Sequence, residues 1–310
     1  MTAYVLRRFV YAIFLLFIAS LFVFYGLRVA PGDVTDYIRT VTSGQEFGET
    51  LREQLGLNEP LPAQYFVFVK NYLSGDPGNS IITGAPITEI LKDSGVNTVK
   101  LGASAIIIVY LLAIPLGLFA AWRRNSPQDQ TIRFLAVLGM GVPNFFLAIL
   151  LIQLFAVKLG WFPVAGPGGL RHLVLPAVVL ALESLAINIR LMRSSVLEEA
   201  AKDYMRTLRA KGLRQRRIMW AHALRNSLVP VVAFAGIVIP LILGYTLIVE
   251  VIFRFQGIGF QLVESIQNRD YALAQSLALL FTAVVIFSNF LADIGHQLLD
   301  PRVRERTVAR

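Results

Sequence analysis

Long apolar stretches alternate along this chain with short charged ones, and the alternation predicts its architecture. Six stretches reach or approach the roughly 20 apolar residues that cross a bilayer: residues 9–27, 101–121, 134–157, 173–189, 228–249 and 272–292. The fourth is the shortest and contains Glu183. It counts as a span because omitting it would put the basic segments on opposite sides of the membrane. The expected fold is therefore an all-α polytopic membrane protein with six transmembrane helices. Its parts are an N-terminal end and first span (residues 1–30), an external insertion (31–96) and a transmembrane core (97–310).

Orientation follows from Lys and Arg. The N-terminus (Arg7, Arg8), the connection after span two (Arg123, Arg124), residues 198–225 and the tail (Arg302, Arg304, Arg306, Arg310) are basic. Residues 34–93 carry only Arg39, Arg52, Lys70 and Lys92 against twice as many acidic residues. This asymmetry puts both termini and residues 198–225 in the cytoplasm. In the insertion, residues 46–55 and 64–73 pattern as short amphipathic helices. They are separated by Asn58-Glu59-Pro60-Leu61-Pro62 and followed by a turn at Ser74-Gly75-Asp76-Pro77-Gly78. Phe66, Phe68, Val69 and Tyr72 are expected to pack on neighbouring external elements, as a cap on the outer mouth. Gly160-Trp161-Phe162-Pro163 places aromatics at an interface, and residues 251–271 hold a short loop helix over 260–267.

The longest stretch no bilayer would accept is residues 198–230. Over 199–211, Ala201, Tyr204, Met205 and Leu208 recur at i, i+3, i+4, i+7, while Lys202, Arg206 and Arg209 form a basic face. Gly212 suits the left-handed position that ends a helix, and 214–224 reads as a second helix leading into Pro230. The predicted element is a helix–Gly–helix hook. Its apolar stripe lacks the bulky wedge of a membrane-lying helix, so the expectation is docking into a groove of a protein partner.

Composition narrows the chemistry. With 55% hydrophobic and 16% charged residues, the chain is no ordinary soluble domain. The net charge of +9 is distributed between apolar spans rather than over one surface, which argues against nucleic acid. The absence of Cys excludes disulfides and thiolate chemistry. The N-terminal apolar run continues past any small-residue cleavage site and is expected to be a retained span. There is no G-x-x-x-x-G-K-[ST], no G-x-S-x-G and no H-E-x-x-H, and His172, His222 and His296 are scattered; the expectation is no catalytic residue, metal or cofactor in this chain. Glu183 should face the bundle interior, a partner or a wet cavity; it either lines a path or makes a buried hydrogen bond. Glu250 caps or braces the third external loop or serves a path, and Asp293 pairs with an Arg of the hook or tail. Pro115, Pro143, Pro176, Pro230 and Pro240 interrupt spans, and Gly139 to Asn144, with Pro143 and Asn144, is the most flexible such point and a candidate gate.

The run Asp203-Tyr204-Met205-Arg206-Thr207-Leu208-Arg209-Ala210-Lys211-Gly212-Leu213, followed by His222-Ala223-Leu224-Arg225-Asn226, resembles the cytoplasmic coupling loop of ATP-binding-cassette importer permeases of the dipeptide/oligopeptide/nickel class. Tyr4-Val5-Leu6-Arg7-Arg8, Leu51-Arg52-Glu53-Gln54-Leu55-Gly56-Leu57, Leu159-Gly160-Trp161-Phe162-Pro163 and Asp300-Pro301-Arg302-Val303-Arg304 fit the B-type subunit. Three features depart from the family pattern: Glu199-Ala200-Ala201 lies 13 residues before Gly212, farther than the family motif places it; Leu208 stands where Ala is usual; and Phe255-Gln256 precedes Gly257 where Pro is common. The resemblance implies a non-catalytic permease in a bacterial inner membrane, with a second homologous permease, two ATPase subunits that bind ATP and Mg, and an external substrate-binding protein. It implies import of a peptide, with nickel or glutathione as alternatives. It also implies that Tyr204, Thr207, Leu208, Arg209, Ala210, Lys211, Gly212 and Leu213 contact the ATPase. A self-sufficient secondary transporter would show paired repeats, which are not evident here, and a membrane-embedded enzyme has no convergent motif to support it.

Overall fold

The computed structural model describes residues 2–29, 58–166 and 168–299. The predicted helix over 46–55, the Leu51–Leu57 motif and the basic tail from Asp300 lie outside them. Among the described residues the chain is helical, apart from an isolated bridge between Asn79 and Pro86. The helices are α1 (Thr2–Val29), α2 (Leu61–Leu73), α3 (Ile87–Trp122), α4 (Pro127–Gly141), α5 (Asn144–Lys158), α6 (Leu170–Ala200), α7 (Asp203–Ala210), α8 (Gln215–Phe253), α9 (Ile258–Gln267) and α10 (Tyr271–Leu299). Five are long and apolar enough to cross a membrane, and α4 and α5 meet that criterion only together, as a pair bent by 107°.

Five of the expected spans each lie within one helix longer than the apolar stretch that revealed it, and the third, expected as one span over 134–157, is instead the bent α4–α5 pair. The largest difference is α3, which begins at Ile87 rather than at 101 and so starts inside the predicted insertion. Its first turns are amphipathic, with Ile87 buried and Glu89 exposed. A count of apolar length misses such an overhang.

Two compact units divide the chain. The first comprises residues 1–99 and 255–287. Its core joins Ile87, Ile258, Leu273 and Leu277, with Leu262 and Leu280 packed against them. The Thr98 hydroxyl accepts the Ile258 amide at 2.8 Å, and the buried Asp270 accepts from Ser80 Oγ at 2.6 Å while capping α10 through the Leu273 amide. Phe24, Tyr25, Tyr65, Phe68 and Tyr72 form one aromatic group, so Phe68 and Tyr72 pack as expected while Phe66 is exposed. Burial pushes the Tyr72 phenol up to about 12. The expected turn is present, with positive φ at Gly75 and Gly78.

The second unit comprises residues 100–254 and 288–310. Here α3 and α6 touch backbone to backbone: a Cβ on Gly117 would stand 2.6 Å from Met192 Cβ, so only glycine permits the approach. Helices α3, α6 and α8 continue through Pro115, Pro176, Pro230 and Pro240. Only Pro143 marks a break. Val142 before it is extended, as a residue preceding proline tends to be, and the poor helix formers Gly139 and Gly141 flank the site.

Candidate functional site

The hook is built by three short-range devices. First, α6 stops at Ala200, and Lys202 turns to an extended conformation (φ −66°, ψ 151°) before α7 begins at Asp203. The predicted single helix over 199–211 is thus two helices, with Ala201 and Lys202 in the break. The buried carboxylate of Glu199 holds this corner. It accepts from Lys202 Nζ, from the Tyr204 hydroxyl and from Asn226 Nδ2 at 2.8 Å, which ties α6, α7 and α8 together. Lys202 therefore belongs to this ion pair and not to a basic face of α7. The Glu199 bond raises the Lys202 ammonium above its ordinary value, and burial together with the same carboxylate raises the Tyr204 phenol. Arg209 Nη2 also donates to the Ala200 carbonyl at 3.2 Å, satisfying one of the last acceptors of α6.

Second, α7 closes in a Schellman motif. Gly212 has φ +76°, its amide donates to the Arg209 carbonyl at 2.9 Å, and the Leu213 amide donates to Leu208 at 3.3 Å. Third, the chain re-enters a helix at Gln215 and does not leave it until Phe253. The predicted second hook helix and span five are one continuous element, with a π-helical stretch at Ile218–Ala223.

The apolar stripe of α7 is already occupied. Met205 is fully buried with Ile218, Met219, Ala223, Met192 and Val196, and Leu208, Leu213 and Leu224 pack against this group. The expectation that the stripe docks into a partner's groove is corrected accordingly: the groove is supplied by α6 and α8 of the same chain. What faces outward is the polar side, Asp203, Arg206, Thr207, Arg209, Ala210, Lys211 and Gly212. Arg206 and Asp203 pair at 3.5 Å with side chains 77% and 96% exposed, so the pair adds little to stability. Tyr204 is 39% exposed, and only the edge of Leu208 and Leu213 is accessible.

The remaining candidates lie elsewhere. Glu183 is half-buried on α6 and has no hydrogen bond or ion pair among the described residues. One turn on, the buried Asn188 donates to the Ser184 carbonyl at 2.8 Å, and its Oδ1 has no partner among them. Pro143 is exposed and Asn144 half-buried at the α4–α5 break. Glu250 is fully buried in the last turns of α8. Asp293 is half-buried on α10. His172 Nδ1 lies 3.1 Å from the Gly166 carbonyl and His222 is half-buried in the π-helical stretch, while the side chain of His296 is outside the described set.

Sequence reading missed two groups that position the hook and its supports. Glu199 and Asn226 gave no signal, since their meeting is tertiary. The other group is Asp129, buried at the start of α4, whose two oxygens receive Arg193 Nε and Nη2 of α6 at 2.7 Å each. Its local half was legible: Ser126-Pro127-Gln128-Asp129 is a helix-start pattern, and the Ser126 hydroxyl accepts the Asp129 amide at 3.3 Å.

Comparison with known proteins adds the following. Residues 113–305 match the family described as binding-protein-dependent transport system inner membrane component, and residues 1–86 match the N-terminal component of such systems. A probable peptide ABC transporter permease protein of Sinorhizobium fredii is 34% identical, covering 98% of this chain and 100% of its own. The oligopeptide transport system permease protein AppB of Bacillus subtilis is 35% identical over 98% and 99%. The glutathione transport system permease protein GsiC of Escherichia coli is 34% identical over 98% and 99%. Among solved structures, the inward-facing MetNI methionine ABC transporter superposes with a TM-score of 0.56 at 17% identity, over 68% of this chain and 96% of its own, a likeness of fold.

Proposed function

This chain belongs to the family of binding-protein-dependent transport system inner membrane components, and from that membership we propose that it forms half of the translocation path of an ATP-driven importer for dipeptides or short oligopeptides. A second, similar permease completes the path. Two ATPase subunits bind ATP and Mg on the cytoplasmic side, an external binding protein delivers the peptide, and both termini of this chain are cytoplasmic. The observation that carries the reading is the hook: its apolar side is spent on α6 and α8, and a rigid, polar, basic outer face remains. Such a face suits a partner that must grip and transmit force without fusing to the permease. Tyr204, Thr207, Leu208, Arg209, Ala210, Lys211, Gly212 and Leu213 form or support this coupling surface. Glu183, Pro143, Asn144 and Glu250 serve the path or its gating.

The test is a reconstituted complex carrying Arg206→Glu or Thr207→Trp. Each variant should insert and assemble normally and lose peptide-stimulated ATP hydrolysis. Wild-type coupling in both would remove the hook from the mechanism. The named relatives include a glutathione system; competition by glutathione, dipeptides, oligopeptides and chelated nickel for uptake of a labelled dipeptide ranks these solutes.

A further inference from the structure

A cavity of about 590 Å³ lies between α4 and α6, apart from the hook. Its rim is polar, with Arg133 from α4 and Arg190, Arg193 and Ser194 from α6. The rest of its lining is apolar, with Val137 and Met140 on α4 and Ile187 and Leu191 on α6. On α4 the lining positions 133, 137 and 140 fall at i, i+4, i+7, one helix face rising about 10 Å. The rim coincides with a boundary between water and hydrocarbon, because residues 134–157 after Arg133 carry no charge, and Arg190 directly follows the apolar run 173–189. Glu183, one turn deeper than Ile187 on α6, is not part of the wall.

The charges of the rim do not cancel. Arg193 occupies both oxygens of Asp129 at 2.7 Å, leaving Arg133 with a longer approach of 3.6 Å to one of them. Among the described residues Arg190 has one side-chain acceptor, Met140 Sδ at 3.6 Å. Arg133 and Arg193 share the Asp129 carboxylate, and Arg190 has no acid partner among the described residues. Around the cavity α4 is apolar on its outer sides, with Phe134, Leu135 and Leu138 exposed, as suits a helix bathed in acyl chains.

We propose that this cavity binds one anionic phospholipid. The headgroup phosphate accepts from Arg133 and Arg190, beside a Ser194 hydroxyl that donates back to the Arg190 and Leu191 carbonyls, and an acyl chain runs along Val137 and Met140. Guanidinium groups match phosphate oxygens in fork geometry, and basic pockets between membrane helices at the headgroup level are where anionic lipids lodge. A bound lipid would splint α4 to α6 just beside the α4–α5 break. The site is independent of what the protein transports.

The assembly is extracted with the full chain, delipidated, and titrated with phosphatidylglycerol or phosphatidylcholine of identical acyl chains. Native mass spectrometry reads retention and a melting curve reads stability. Phosphatidylglycerol should be retained and should raise the melting midpoint, and phosphatidylcholine should do neither. Arg133→Gln and Arg190→Gln should each weaken retention by about tenfold, the loss expected for one hydrogen bond to a charged group. Arg190→Lys should recover part, and Val137→Trp should block entry. Arg123→Gln with Arg124→Gln, in the same turn between α3 and α4, should leave retention unchanged. Equal loss in that control pair would mean diffuse surface charge and would overturn the proposal. So would equal stabilisation by phosphatidylcholine or by glycerol phosphate alone, or loss of another subunit rather than lipid from the Arg133 and Arg190 variants.

Discussion

Replacing Gly212 tests the hook at its stiffest point. The residue sits at φ +76°, a region L residues enter at a cost of about 1–2 kcal/mol. A Cβ built there meets nothing within 4 Å, so no steric clash adds to that cost. The whole penalty is therefore backbone strain. It should lower the population of the closed hook relative to an opened one by roughly 5- to 30-fold. Two features of the outcome follow. Gly212→Ala, Gly212→Ser and Gly212→Leu should open the hook of the isolated chain equally, because an added Cβ meets no atom of this chain within 4 Å. Gly212→Asn should recover much of the loss, because Asn tolerates the left-handed region. Hydrogen exchange across residues 203–214 measures the opening, and ATP hydrolysis by the reconstituted complex measures its consequence. Hydrogen exchange in the isolated chain graded by side-chain size, or an Asn variant that exchanges as fast as Ala, would refute the argument.

Met205→Ala should lower the melting temperature of the chain by an amount corresponding to about 2–5 kcal/mol, since it empties a fully buried site; Arg206→Ala, on the exposed side, should leave melting unchanged. Asp129→Asn should destabilise by about 1–3 kcal/mol by weakening the charge-assisted bonds to the half-buried Arg193; thermal melts should show Asp129→Leu combined with Arg193→Met regaining most of it. The hook should also loosen in alkali. Lys202 and Tyr204 have values raised above their ordinary 10.5 and 10.0, so their protonated, bonded forms contribute fully below pH 10, and that contribution is lost as pH rises through the raised values. Exchange protection of residues 203–210, corrected for intrinsic rates, should hold from pH 7 to 9 and fall above pH 10.5. Glu199→Gln should abolish that transition.

The spans were legible because apolar length is a one-dimensional property: each predicted stretch lies within a helix, or within the bent α4–α5 pair. Their ends were not. The first turns of α3 carry Glu89, Lys92 and Asp93 on exposed positions while Ile87 is buried, and hydropathy registers the charges rather than the helix. Gly212 announced its own conformation. The break at Ala201 and Lys202 stayed hidden, because the i, i+3, i+4, i+7 pattern runs straight across it. The chain turns there with the Glu199 carboxylate gathering donors from Lys202, Tyr204 and Asn226, the last of them 27 positions away. The same pattern named Met205 and Leu208 correctly as apolar positions but assigned their burial to a partner, where α6 and α8 of this chain supply it. Asp129 shows the limit most simply: its cap lies three residues off in sequence, and its ion-pair partner sixty-four.

The π-helical stretch at Ile218–Ala223 has a torsional meaning. Bonding from i to i+5 takes in one residue more than bonding from i to i+4, and one residue amounts to about 100° of winding. The arm of the hook and the membrane portion of α8 are thus offset in azimuth by a surplus residue while sharing one unbroken rod. The azimuth at which the hook arm meets the membrane portion is therefore set by where the extra residue is stored.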